Sequence, residues 1–233
     1  MSENLEIELI KKISIKNKEE NFLISPIGIE IILSLCSNGA EGETQKEILD
    51  LLKYKDIDEA NAEAKKIIEE FKKNGDILKL ATAILTKVPP KQKFVKNALD
   101  DYDAKVKELK DFEVINRWVK TKTNNYIEKI IDSLSPDVLM VLLNAFYFEA
   151  FWKNKFDIRN SYDEEFYNLD DKNKSIRTSM MILRGVLFNH YENEEMQAIK
   201  LNYESKNENI SAIVILPKEI DINFFIKLFN KEK

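Results

Sequence analysis

The sequence predicts an α+β domain in which N-terminal helices cover a sheet and a run of shorter strands follows. Three observations carry this expectation. Residues 21–40 form an apolar window bounded by capping residues, which reads as a strand leading into a buried helix. Val138 to Phe148 is almost continuously apolar, as a strand buried on both faces must be, and such a strand needs helices on one side of its sheet and another layer on the other. Beyond Asp163 the pattern changes to short strands separated by polar turns.

The elements follow in order. Leu5, Ile7, Leu9, Ile10 and Ile13, interrupted by Glu6, Glu8 and Lys11, predict an amphipathic surface helix and not the apolar core of a signal peptide. Cytoplasmic residence is therefore the default expectation, with unconventional export left open. Asn21 to Ile24 reads as a strand. Ser25 caps the next helix, Pro26 takes its first position, where no amide is needed, and Gly39 supplies a left-handed residue at its end. Ile27, Ile29, Ile31, Ile32, Leu33, Leu35 and Cys36 leave this helix no polar stripe, so it is expected to be enclosed on all sides. Cys36 is the sole cysteine, which excludes an internal disulfide and makes it a core residue.

Thr44-Gln45-Lys46-Glu47 fits a capping box before Ile48, Leu51 and Leu52. A further helix repeats Ala60, Ala64, Ile67, Ile68 and Phe71 and ends at Asn74-Gly75. Ile77 to Leu85 predicts a strand, Pro89-Pro90 a turn, Phe94 to Tyr102 a helix and Ala104 to Lys110 a half-exposed strand. Ile115, Trp118, Val119, Tyr126, Ile127 and Ile130 predict one helix from Val114 to Ile131, with Ser135-Pro136-Asp137 as its exit turn. The apolar run after it is broken by Asn144 and closed by Glu149, too short for a membrane span. Ile210 to Leu216 reads as a strand, and Phe224, Phe225, Ile226 and Leu228 as an amphipathic segment. No linker or repeat divides residues 1–233, so a single domain is expected.

A net charge of −5 with interspersed signs argues against a nucleic-acid partner. Only 5 glycines occur, so Asn is expected at some left-handed positions. His190 is the only histidine, so any Ser/His/Asp or Cys/His set would have to run through it; a surface or packing role is the expectation. There is no Gly-rich phosphate loop and no pair of histidines at metal spacing. Asp170-Asp171 and Glu194-Glu195 read as solvated charges, since no apolar neighbours would raise a pKa. Nothing requires an enzyme, a cofactor or a metal.

Several motifs also fall in a familiar order. They are Asn21-Phe22-Leu23-Ile24-Ser25-Pro26 with Asn38-Gly39-Ala40 and Glu41-Gly42-Glu43-Thr44; Ile115-Asn116-Arg117-Trp118-Val119 with Thr123 and Ile127; Leu143-Asn144-Ala145-Phe146-Tyr147-Phe148 through Trp152 to Phe156; Met180-Met181; Ile199 to Tyr203; and Ile213 to Pro217. Together they resemble the serpin family, over nearly the whole chain. The resemblance implies a large mixed sheet, a second antiparallel sheet, N-terminal helices packed on the first, and a helix lying across it. It implies inhibition of serine or cysteine proteases. It puts Ser25 and Asn144 near the middle of the large sheet, where serpin strands separate, and Trp152 near its top, where a reactive loop begins to insert.

Three departures stand out. Gly28 replaces a usual Ser, Thr82 a usual Asn and Asn125 a usual Gly; the first two are expected to remove hydrogen-bonding groups from around Asn144. In some serpins the second helix binds glycosaminoglycan, yet here Lys65, Lys66, Lys72 and Lys73 alternate with Glu63, Glu69 and Glu70, which predicts a solvated face. By the family pattern the sheets are incomplete at the C-terminus and the reactive-loop region is lacking. A protease partner is then expected only if that region is supplied, self-association through unpaired edges is possible, and the alternative is a noninhibitory fragment acting as a binding module.

Overall fold

The computed structural model describes residues 3–16, 21–75, 77–167, 175–205 and 210–218. Two compact units divide it: Met1–Glu6 with Ile24–Glu149, and Ile7–Leu23 with Ala150–Lys233. The division falls within the first helix, α1 (Glu3–Lys16). No described helix is long and apolar enough to cross a membrane.

In the first unit the elements run α2 (Pro26–Ser37), α3 (Gly42–Leu52), α4 (Ile57–Lys73), β1 (Leu78–Thr86), α5 (Gln92–Tyr102), β2 (Lys105–Glu108), α6 (Phe112–Lys122) and β3 (Met140–Phe148). The sheet has the order β2-β1-β3, with β2 parallel and β3 antiparallel to β1, so it is mixed as the resemblance implied. The β1–β3 ladder is unbroken from Leu78↔Phe148 to Thr86↔Met140.

Both faces of this sheet are covered. On one, Ile84 meets Ile31 and Leu35 of α2, Ala64 and Ile68 of α4, and Phe94 and Ala98 of α5. On the other, Ala83, Leu85, Leu143 and Ala145 meet Ile115, Trp118 and Val119 of α6, with Ile131, Leu134 and Val138 beyond it. Ile84 and Leu85 are fully buried neighbours pointing to opposite layers, each contributing roughly 1.5–3 kcal/mol. The apolar run of β3 and the helical spacing of the four cover helices thus describe the same packing.

Several local expectations change. Residues 21–24 form no ladder in the described structure, so the window holds a helix with an extended entry and no paired strand. Gly39 is not left-handed: α2 ends on Asn38 in the right-handed region, and a Cβ on Gly39 would lie 3.4 Å from Phe94. Its smallness serves helix packing. The capping box at Thr44 does not form, because α3 begins earlier, at Gly42, while Gln45 donates to the Ser37 and Ala40 carbonyls. The helix foreseen as far as Ile131 stops at Lys122. Asn124 and Asn125 both adopt left-handed φ, which ends a right-handed helix, and Asn125 fills the position where the family has Gly.

In the second unit, β4 (Tyr162–Tyr167) and β5 (Ser175–Met180) form an antiparallel ribbon. β6 (Asn189–Glu192), β7 (Met196–Asn202) and β8 (Ser211–Pro217) form a separate antiparallel sheet in that order. The short strands foreseen beyond Asp163 are these. The segment around Phe224 to Leu228 and the pair Asp170-Asp171 lie outside the described residues.

Candidate functional site

Ser25 and Asn144 are brought together around Gly28. Ser25 has an extended backbone (φ −120°, ψ 93°), so its side chain turns back on the first turn of α2, where its Oγ accepts the Gly28 amide at 3.3 Å. A Cβ on Gly28 would sit 2.7 Å from Asn144 Oδ1 and 3.3 Å from Ser25 Oγ. The absent side chain is therefore a niche in α2, and the Asn144 carboxamide oxygen fills it. From its other end Asn144 Nδ2 donates to Thr82 Oγ1 at 3.2 Å, directly across the β1–β3 ladder.

This geometry revises what the two departures mean. Thr82 does not strip Asn144 of a partner; its hydroxyl, on a residue 5% exposed, is the partner. Gly28 contributes space. Asn144 itself is half-buried and not fully enclosed.

Trp152 belongs to the second unit. Its backbone bridges Tyr203 just beyond β7, the two rings stack at 4.4 Å and 13°, and Phe156 meets the indole edge-on at 6.5 Å. Lys153 N–H donates to Asn202 O at 2.9 Å and Glu204 N–H to Phe151 O at 2.7 Å, so residues 151–153 add a short antiparallel rung to the β7 end.

A buried polar network in α2 escaped the sequence reading. Glu30, Ser34 and Ser37 recur at helical spacing, and all three are buried, so the helix does carry a polar stripe. The Ser34 and Tyr102 hydroxyls lie 2.7 Å apart, Tyr102 donates to Asn61 Oδ1 at 2.7 Å, and Asn38 Nδ2 donates to the same oxygen at 2.7 Å. Asn97 Nδ2 reaches Asn38 Oδ1 at 2.8 Å, so one network ties α2, α4 and α5. Burial pushes the Tyr102 phenol up to about 12. Tyr54 donates to Glu30, which is 2% exposed, and burial with that hydrogen bond raises the Tyr54 phenol. The signal available in the sequence was the interval of the three polar residues within the apolar run.

Elsewhere among the described residues the charged groups are solvated or paired. The lysines of α4 each meet a carboxylate: Lys65 with Asp101 at 3.7 Å, Lys66 with Glu63 at 3.5 Å, Lys72 with Asp103 at 3.0 Å and Lys73 with Glu70 at 2.5 Å. His190 is exposed on β6, its Nε2 3.9 Å from Glu192 Oε2.

Comparison with known proteins agrees with this architecture. The family model described as Serpin (serine protease inhibitor) matches residues 1–233. An uncharacterized serpin-like protein of Methanosarcina acetivorans is 30% identical over 241 residues, covering 94% of this chain and 55% of that protein. The chain thus spans about half the length of such relatives. Among solved structures, cleaved kallistatin complexed with heparin superposes with a TM-score of 0.86 at 20% identity, over 97% of this chain and 69% of that one. Native protease nexin-1 with heparin gives 0.80 at 27% identity, over 93% and 63%. Serpins are in general protease inhibitors, and with the family model matched from end to end, this chain belongs to the serpin family.

Proposed function

We propose that these residues form the strand-accepting frame of an inhibitor of serine or cysteine proteases. The observation that carries this reading is β3. It is covered on both faces yet, among the described residues, hydrogen-bonded along one edge only. Such an edge offers a row of backbone donors and acceptors to an incoming strand, and loop insertion into a sheet is how serpins take one up. Asn144, midway along β3, suits a place where strands part, because a carboxamide can change partners while keeping its hydrogen bonds satisfied. In this reading Ser25 and Asn144 serve sheet opening, and Trp152 marks where the inserted strand begins.

In this reading a protease is engaged when the reactive-loop region is supplied. The same open edge favours self-association of the isolated chain. The test adds a polypeptide equivalent to the C-terminal portion of the Methanosarcina relative to the 233-residue chain, with trypsin, chymotrypsin and papain present in turn. The expected result is a higher unfolding temperature and less concentration-dependent sedimentation with the fragment. A denaturant-resistant protease adduct should form only when both polypeptides are present. An adduct with the chain alone, or no thermal response to the fragment, would overturn the reading. A thermal response without any adduct would favour the noninhibitory binding module instead.

A further inference from the structure

The chain contains two Asn-Gly pairs, Asn38-Gly39 at the end of α2 and Asn74-Gly75 at the end of α4. An Asn followed by Gly is open to a spontaneous reaction in which the Gly backbone nitrogen attacks the Asn carboxamide carbon, because Gly has no side chain to block the approach. In a folded chain the rate depends on how firmly the carboxamide and the following amide are held, and here the two pairs differ.

Asn38 is held at both ends of its carboxamide. Its Nδ2 donates to Ser34 O at 3.1 Å, Asn61 Oδ1 at 2.7 Å and the Tyr102 hydroxyl at 3.2 Å, while its Oδ1 accepts from Asn61 Nδ2 at 3.2 Å and Asn97 Nδ2 at 2.8 Å. Gly39 N–H donates to Cys36 O at 3.0 Å. Turning the carboxamide carbon towards that nitrogen would break up the whole network. Asn74 is the C-cap of α4, and its Nδ2 donates to Glu70 O at 3.2 Å in an exposed contact. Gly75 is exposed, and its N–H meets Lys72 O at 3.3 Å, longer than the roughly 2.7–3.2 Å of a well-formed bond. The same turn starts the sheet. Asn74 O accepts the amides of Ile77 and Leu78, each at 2.9 Å, Ile77 O accepts the Glu149 amide at 3.0 Å, and Leu78 opens the ladder opposite Phe148.

We propose that Asn74 is a deamidation site and that its conversion loosens the first rungs of the β1–β3 ladder, with water as the co-reactant. The Gly75 nitrogen, having lost its proton, bonds to Asn74 Cγ; the Cγ–Nδ2 bond breaks, and the nitrogen leaves as ammonia, taking up a proton. Water then opens the succinimide ring. Opening at Cγ gives aspartate, and opening at the original peptide carbonyl gives isoaspartate, whose main chain runs through Cγ and is longer by one carbon. Nothing is oxidised or reduced. In the isoaspartyl form the carbonyl that served Ile77 and Leu78 becomes a free carboxylate beside the main chain, so both amides lose their acceptor. Either acid also places a negative charge at the negative end of α4.

Ageing the full 233-residue chain in mildly alkaline buffer tests this, with peptide mapping by mass spectrometry and enzymatic carboxyl methylation to count isoaspartate. In the folded protein the Asn74 peptide should convert faster than the Asn38 peptide by roughly tenfold to a thousandfold, the protection expected from the two or three hydrogen bonds that Asn38 must give up. In urea the two should convert alike. Asn74→Gln, whose longer side chain closes the corresponding ring far more slowly, should lose the isoaspartyl signal. In the converted fraction, separated by ion exchange, the amides of Ile77, Leu78 and Glu149 should exchange hydrogen faster while those of Ile31 and Leu35 in α2 stay unchanged. Asn74→Asp, which adds the charge and keeps the backbone length, should show a smaller increase. Equal rates at Asn38 and Asn74 in the folded chain, or conversion of Asn74 in urea alone, would overturn the proposal. So would unaltered exchange at Ile77 and Leu78 in the converted chain, or an increase that Asn74→Asp reproduces in full.

Discussion

Replacing Gly28 by Ala should destabilise this protein, although Ala is the better helix former. The propensity gain is at most about 1 kcal/mol, less so close to the helix start. Against it stands a Cβ placed 2.7 Å from Asn144 Oδ1, so the carboxamide must retreat by several tenths of an ångström to reach an ordinary contact. Retreat draws Nδ2 away from Thr82, whose hydroxyl is buried. Losing that bond costs roughly 0.5–1.5 kcal/mol, and a buried hydroxyl left without a partner roughly 1–3. The net expectation is a loss of about 1–2 kcal/mol.

In an Asn144→Ala background the obstructing oxygen is gone, and the same substitution should become neutral or stabilising by up to about 1 kcal/mol. The sign change is the diagnostic. Trp118 lies in the first unit and Trp152 in the second, so urea unfolding followed by fluorescence in a Trp152→Phe background reports on the unit that contains Gly28. Gly28→Ala raising the midpoint equally in both backgrounds, additive within about 0.5 kcal/mol, would refute the niche.

Two further outcomes are expected. Asn144→Ala should lower the urea midpoint by the equivalent of about 1–3 kcal/mol while Ser175→Ala, exposed on β5, stays within about 0.5, and equal midpoints would contradict the central position of Asn144. Burial pushes Tyr102 up to about 12 from an ordinary 10, so the unfolded chain releases this proton first: the tyrosine's contribution is intact below about pH 10 and falls by roughly 2–3 kcal/mol up to about pH 12. The stability gap between the protein and Tyr102→Phe should narrow over that window, and a constant gap would count against the burial argument.

Much of the sheet unit was legible because its signals are local and redundant. The apolar run of β3, the cap at Ser25-Pro26 and the period of α4 each specify an element without reference to any other. The misreadings arise where one residue has two possible uses. Gly39 fits a helix stop and a close helix contact equally well in sequence, and only the position of Phe94 decides. Tyr126, Ile127 and Ile130 continue the apolar period of α6, yet two left-handed Asn residues end the helix before them, so a helical pattern persists in a segment that is not a helix. The stripe of Glu30, Ser34 and Ser37 was masked by the isoleucines around it, and the partners of Ser34, Ala60 O on α4 and Tyr102 on α5, stand far along the chain, as does Tyr54, which meets Glu30.

The site shows the same limit more sharply. Read one at a time, Gly28 and Thr82 each subtract a polar group from the neighbourhood of Asn144. Read together in space, one admits the carboxamide oxygen and the other receives the carboxamide nitrogen, so the two departures are coupled through a side chain that stands far from both in sequence. An Asn held by shape on α2 and by a single hydroxyl on β1 is fixed less rigidly than one enclosed among several polar partners. That suits the sheet-opening role proposed for this strand pair, whose centre would rearrange while its two apolar faces hold the unit together.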